Sequence, residues 1–210
     1  ERPSGRRFLI QPAVRRPAPL LLGLVGPSGS GKTTLLSLLG CVIYPSYGEV
    51  WIDGIKANEL NEKDLARIRL RKIGFVFQKF NLIAPLSALE NVMMPLTLQG
   101  ISEKEARTRA IAALDKVGMK ERMNNLSNDL SGGQQQRVAI ARALINKPDI
   151  VFADEPTGNL DSTNARDLHS IFLSLQKNYG QTFLIVTHNE ELAALSNRTL
   201  HMRDGLMVEA

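Results

Sequence analysis

The sequence is short of cysteine, short of aromatics and without a long apolar run, and each shortage excludes something. Cys41 is the only cysteine in 210 residues, so no disulfide can form within the chain and a reducing compartment is expected. The longest apolar stretch, "APLLLGLVG" (18–26), stops at Pro27, far short of the ~20 residues that span a bilayer. Arg2, Arg6, Arg7, Arg15 and Arg16 crowd the start. No apolar stretch with a small-residue cleavage site follows them, so no signal peptide is expected. There is no heptad run, which argues against a coiled-coil insertion, and no internal repeat. Aromatics make up 5% of the chain, and Phe8 is the only one before residue 26. Hydrophobic residues at 43% and charged residues at 22% fit a globular chain with one main core. The net charge of +5 suits an acidic partner such as phosphate.

Strand-like runs recur at 20–25, 73–78, 149–154 and 182–188. They are continuously apolar rather than alternating, as expected of parallel strands buried on both faces. Helical patterns lie between them. Ser87 with Glu90 and Ser102 with Glu105 have capping-box spacing. Ala106, Ala110, Ala113, Leu114 and Val117 follow at helical spacing up to Gly118, and Leu168, Ile171, Phe172 and Leu175 do so before Gly180. The reading is an α/β fold: a P-loop core with a mainly parallel sheet over 1–79 and 136–210, and an inserted helical subdomain over 80–135. Val50 and Ile52 in "GEVWIDG" (48–54) predict a small antiparallel edge piece. The proline- and arginine-rich "RRFLIQPAVRRPAP" (6–19) does not alternate as strands do, so this piece is expected to be incomplete.

"GPSGSGKTT" comprises Gly26, Pro27, Ser28, Gly29, Ser30, Gly31, Lys32, Thr33 and Thr34. It fits G-x-x-x-x-G-K-[ST] at every fixed position and sits between an apolar strand and an apolar helix. Such glycines let the backbone curl its N–H groups inward around an anion, and the helix N-terminus adds its positive end. Lys32 is placed for the β- and γ-phosphates of ATP, and the Thr33 hydroxyl for Mg²⁺. "IVFADE" ends a second buried strand in Asp154, at the sheet edge where α/β folds bind ligands. Asp154 is expected to hold Mg²⁺ through water. Glu155, facing another way, is expected to orient the attacking water.

"LSGGQQQRVAIARAL" (130–144) opens a helix on Ser131, Gly132, Gly133 and Gln134, a second anion-binding N-terminus. One chain has little use for two γ-phosphate sites; two chains head to tail have, each covering the other's nucleotide. "LSGGQ" resembles, residue for residue, the signature motif of ATP-binding-cassette ATPases. The resemblance extends over most of the chain. It implies that Gln78 in "GFVFQ" contacts Mg²⁺ and signals to a transport partner. It implies that Asp161 in "GNLD" faces the dimer partner and that His188 in "IVTHN" contacts the γ-phosphate. "ADEPTGNLDS", "FQKFNLIAPLSALENVMMPL" and "HMRDG" are similar to the ATPase subunits of lipoprotein-releasing transporters and macrolide-type exporters. That implies a homodimer, peripheral on the cytoplasmic face of the inner membrane, hydrolysing ATP for an integral membrane permease that docks around residues 79–95. The family usually has two strands and an adenine-stacking aromatic before the P-loop; only Phe8 is available here. A regulatory cell-envelope cassette without transport is the alternative, and a nucleic-acid-associated cassette lacks its coiled coil. No nucleic-acid partner is expected. In this family cargo is chosen largely by the membrane subunit.

Overall fold

The computed structural model describes residues 8–10 and 19–208. The five N-terminal arginines and the side chain of Phe8 lie outside the described residues. The strands are β1 (Phe8–Ile10), β2 (Leu21–Val25), β3 (Val50–Ile52), β4 (Ile55–Lys56), β5 (Ile73–Phe77), β6 (Ile150–Asp154), β7 (Phe183–Val186), β8 (Arg198–Arg203) and β9 (Leu206–Val208). The helices are α1 (Lys32–Leu39), α2 (Glu62–Lys72), α3 (Ala88–Thr97), α4 (Glu103–Lys116), α5 (Gly132–Leu144), α6 (Ser162–Tyr179) and α7 (Glu190–Ala194).

Six strands form one sheet in the order β5-β6-β7-β2-β8-β9. All neighbours are parallel except β8 and β9. The four apolar runs of the sequence are four of these strands, each shorter at its ends than the run, because strands end where the chain leaves the ladder. The sheet is packed on both faces, which is why its strands are continuously apolar. Leu21, Val76, Val151, Ala153 and Ile185 meet the helices of one core, with Leu114, Val138, Ile140, Leu168 and Phe172. Leu24, Phe152, Leu184 and Val186 meet Leu35, Leu36, Leu39, Val50 and Ile52 on the other side.

The small sheet has the order β1-β3-β4, with β3 antiparallel to β4 across the Asp53–Gly54 turn. Residues 8–10 do form a strand, parallel to β3 in the register Phe8↔Val50. They extend the small piece by a third strand, which three residues are too few to announce by alternation in the sequence. β8 and β9 form a second two-residue hairpin at Asp204–Gly205. Both turn residues of each pair have positive φ (51° and 76°, 49° and 75°), the geometry that makes Asp-Gly a hairpin signal.

Residues 80–131 contribute α3, α4 and two 3₁₀ turns. Ser87 and Glu90 form the full reciprocal capping box at the start of α3. At α4 only half of the expected box forms: Ser102 accepts from the Glu105 N–H, while the Glu105 carboxylate pairs with Arg109 instead. Asn91 of α3 is fully buried. Its amide donates to the carbonyls of Ile83, Leu86 and Ser87 and to Ser127 Oγ, and its oxygen accepts from the Ile83 N–H. One side chain thereby fixes the segment that precedes α3.

Gly74 in β5 lets α5 lie directly on the strand: a Cβ there would come within 2.6 Å of the Ala143 carbonyl oxygen. The obstacle is backbone, which cannot rotate away. Gly74→Ala is expected to destabilise the fold by about 1–3 kcal/mol through overpacking, measured as a lower urea midpoint at unchanged m-value.

Candidate functional site

Parallel pairing brings the carboxyl ends of β2, β5, β6 and β7 to one edge. Phe77 pairs with Asp154, and Asp154 and Leu24 both pair with Val186. The next residues along these strands therefore open on the same rim: Gln78, Glu155, Thr187–His188 and the 26–34 loop.

That loop curls through Gly29 (φ 78°) and Gly31 (φ 97°) into α1. Gly31 provides no side-chain cap, and no acidic residue stands in the first turn. The Lys32, Thr33 and Thr34 N–H groups have no acceptor among the described residues, leaving an anion cradle at the positive end of a helix. Lys32 is buried and donates to the carbonyls of Gly26 and Pro27, both at 2.8 Å. The loop is braced from β8 and its turn. The Gly205 N–H donates to the Ser30 carbonyl, and a Cβ on Gly26 would lie 2.1 Å from the Met202 carbonyl oxygen. The "HMRDG" segment thus supports the cradle, a role that nothing in its own residues announces.

Thr33 Oγ1 donates to Asp154 Oδ1 at 3.3 Å across the rim. Burial pushes the Asp154 carboxyl above the ordinary carboxylate range, and Glu155 adds to this, while the Thr33 hydrogen bond and Lys32 pull the other way. Glu155 has φ 46°, an uncommon conformation for a side chain of this kind. Its N–H donates to the Val186 carbonyl, and its Oε2 lies 2.8 Å from His188 Nδ1. The His188 side chain is 73% exposed, so its ring stands open toward the rim.

Gln78, expected to contact Mg²⁺, stands at the end of β5 paired with Asn159. Its amide donates to Asn159 Oδ1 and its carbonyl accepts from Asn159 Nδ2, both at 3.1 Å. Ser131 and Gln134 form a capping box at the start of α5. Asp161 caps α6, accepting from the Thr163 and Asn164 N–H groups and from Asn164 Nδ2. These hydrogen bonds hold the Asp161 carboxyl below the usual range. Asn164 in turn presses on α5, since a Cβ on Gly133 would fall 2.4 Å from its Oδ1. The start of α5 and Asp161 thus meet through Asn164.

Reading by motif missed three side chains of α5 and its flank: Gln135, Gln136 and Arg142. Gln135 donates to the Leu130 carbonyl. Arg142 donates to the carbonyls of Phe80 and Asn81, which both have positive φ. Gln136 reaches the end of β5 and the turn after β6. The three consecutive glutamines look alike in sequence, and only their helical phase tells them apart.

The family model described as ABC transporter matches residues 17–158. This chain belongs to the ABC transporter family. It is an ATPase cassette of that family, on an α/β fold with a mainly parallel sheet. The lipoprotein-releasing system ATP-binding protein LolD of Bacteroides fragilis is 50% identical over 188 residues, covering 90% of this chain and 87% of that protein. The macrolide export ATP-binding/permease protein MacB of Syntrophobacter fumaroxidans is 48% identical, over 89% of this chain and 26% of that protein. Among solved structures, the dimeric post-hydrolysis state of the ATP-binding cassette MJ0796 bound to ADP and Pi superposes with a TM-score of 0.82 at 44% identity. It covers 90% of this chain and 84% of that one; MJ0796 is from Methanocaldococcus jannaschii.

Asp154 provides a pH test of the cassette's rim. A carboxyl whose folded pKa is raised stabilises the fold below its unfolded pKa, and that contribution is lost as pH rises through the folded value. Asp154→Asn keeps the acceptor for Thr33 and removes the charge. In the absence of nucleotide it is expected to be more stable than the wild type at pH 7. The difference should shrink toward zero as the pH falls below the ordinary carboxylate range, as read from urea denaturation at each pH.

Proposed function

We propose that the cassette binds Mg²⁺–ATP between two copies of this chain arranged head to tail. Hydrolysis then drives an integral membrane permease of the lipoprotein-releasing or macrolide-exporting kind. The observation that carries the reading is the Thr33–Asp154 contact at the mouth of the open N–H cradle. One hydroxyl and one carboxylate are hard oxygen donors. No cluster of three or more His, Cys, Asp or Glu stands near them among the described residues. The set fits Mg²⁺, which takes few protein ligands and keeps waters and phosphate oxygens. When bound, the ion would neutralise charge on the phosphate oxygens.

The remaining steps belong to the chain. Lys32 exchanges the carbonyls of Gly26 and Pro27 for phosphate oxygens, a stronger acceptor for an ammonium. The cradle N–H groups hold developing charge without reorganising. Glu155, aimed by its unusual backbone, orients the attacking water. His188 holds the Glu155 carboxylate now and has an exposed ring for the γ-phosphate. The capped start of α5, with Ser131, Gly132, Gly133 and Gln134, is assigned to the partner copy's nucleotide, Asp161 to the same interface, and Gln78 to Mg²⁺ and to signalling toward the permease.

No helix among the described residues is long and apolar enough to cross a membrane; the place as a peripheral subunit on the cytoplasmic face is assigned from the likeness to the LolD ATP-binding proteins. The helical unit over 80–135 and the core leave a groove of about 340 Å³ lined by Arg69, Phe75, Phe77, Asn81, Pro95 and Arg142. This groove, beside residues 79–95, is the proposed seat of the permease. The LolD proteins support the lipoprotein-releasing assignment by their likeness.

Two experiments test this reading. Glu155→Gln should keep ATP affinity and lower kcat by about a hundredfold or more; turnover near the wild-type rate removes Glu155 from its role. Ser131→Arg should block hydrolysis while monomers still bind ATP. Mixed with Lys32→Ala chains, it should recover activity above either variant alone, because one of the two composite sites is then intact. Loss of ATP binding in the Ser131→Arg monomer would show that the signature serves its own chain.

A further inference from the structure

Gln136 lies on the buried face of α5 and is completely inaccessible to solvent. Its Nε2 donates to the Phe77 carbonyl at 3.2 Å and to the Pro156 carbonyl at 2.7 Å. Phe77 immediately precedes Gln78, and Pro156 immediately follows Glu155. The amide orientation is fixed by chemistry, because only an NH₂ group can face two carbonyl oxygens. The amide oxygen has no hydrogen-bond partner among the described residues. A buried unpaired acceptor is costly, yet the Pro156 carbonyl has no other donor among the described residues, so the side chain satisfies one buried oxygen while leaving its own unpaired. What the glutamine adds is the bridge.

That bridge spans the two strands whose ends carry Gln78 and Glu155. At the rim these loops are tied a second time by the Gln78–Asn159 pair and by close packing: a Cβ on Gly158 would lie 2.7 Å from Gln78 Nε2. The rim tie is exposed, while the Gln136 tie is buried and belongs to the helix that Ser131 caps. Any shift of α5 therefore moves the carbonyl that follows Glu155, whose φ of 46° leaves it little freedom to absorb the change.

We propose that Gln136 is a positioning residue for hydrolysis: it couples the signature helix to the Gln78 loop and to the turn that aims Glu155. Fully buried, it acts only through the two carbonyls. The proposal rests on Glu155 orienting the attacking water, and so on the proposed function.

The test is Gln136→Met, which keeps the length and removes both donor and orphaned acceptor. ATP affinity is expected within about twofold of wild type, while kcat per folded protein falls about tenfold or more. Gln136→Glu is the second arm. Burial and two facing carbonyl oxygens favour its protonated form, whose O–H restores one of the two bonds. The ratio of its kcat to that of wild type should therefore fall as the pH rises. Gln136→Met turning over near the wild-type rate overturns the proposal, as does a loss of kcat matched by equal loss of ATP affinity or of folded protein. If Gln136→Met does not fold, the pH ratio of Gln136→Glu decides: a falling ratio supports the coupling and a flat one removes it. A wild-type chain that does not hydrolyse ATP would instead sink the proposed function itself, which separates the two failures.

Discussion

Everything at the rim depends on the parallel pairing of β2, β6 and β7. Parallel strands must be joined by crossovers, so the chain leaves each carboxyl end on the same side of the sheet. Val186 is the common partner: it pairs with Leu24 on one side and Asp154 on the other. From that register the phosphate loop, Asp154–Glu155 and His188 become neighbours, though more than 150 residues of sequence separate the first from the last. The Thr33–Asp154 and Glu155–His188 contacts follow from it.

The second constraint is tolerance of close backbone approach and unusual φ. Gly26 allows the cradle to rest on Met202, Gly74 allows α5 to rest on β5, and Gly133 allows α5 to meet Asn164. Glu155, Phe80 and Asn81 take positive φ without being glycine. Their neighbours hold them there, the Val186 carbonyl in the first case and Arg142 in the others. Strain of this kind persists only where surrounding contacts over-determine it, and here it lies beside the loops that carry the chemistry.

The helix α5 joins these parts. Its start is capped by Ser131 and Gln134, its first turn touches the Asp161–Asn164 cap of α6, and its middle holds Phe77 and Pro156 through Gln136. Its later turns hold Phe80 and Asn81 through Arg142. A displacement at the signature end or in the groove near Arg142 therefore has a physical route to Glu155 made of packed and hydrogen-bonded groups.

The sequence by itself determined the chemistry-bearing residues that local backbone geometry demands. The glycines, lysine and threonine of the 26–34 loop, the acidic pair after an apolar strand and the "LSGGQ" helix start are short-range patterns. So are the four buried strands and the Ser87–Glu90 box. The tertiary structure decided what spacing cannot encode: the strand order, the parallel strand at 8–10, the bracing of the cradle by Met202 and Gly205, and the half-formed cap at Ser102. It also decided which of three adjacent glutamines is a cap, which folds back on Leu130 and which bridges the end of β5 and the turn after β6. The physical reason is range: a cap or a phosphate loop is closed by residues a few positions apart, whereas Gln136 acquires its role only when β5 and the turn after β6 come within reach of one face of α5.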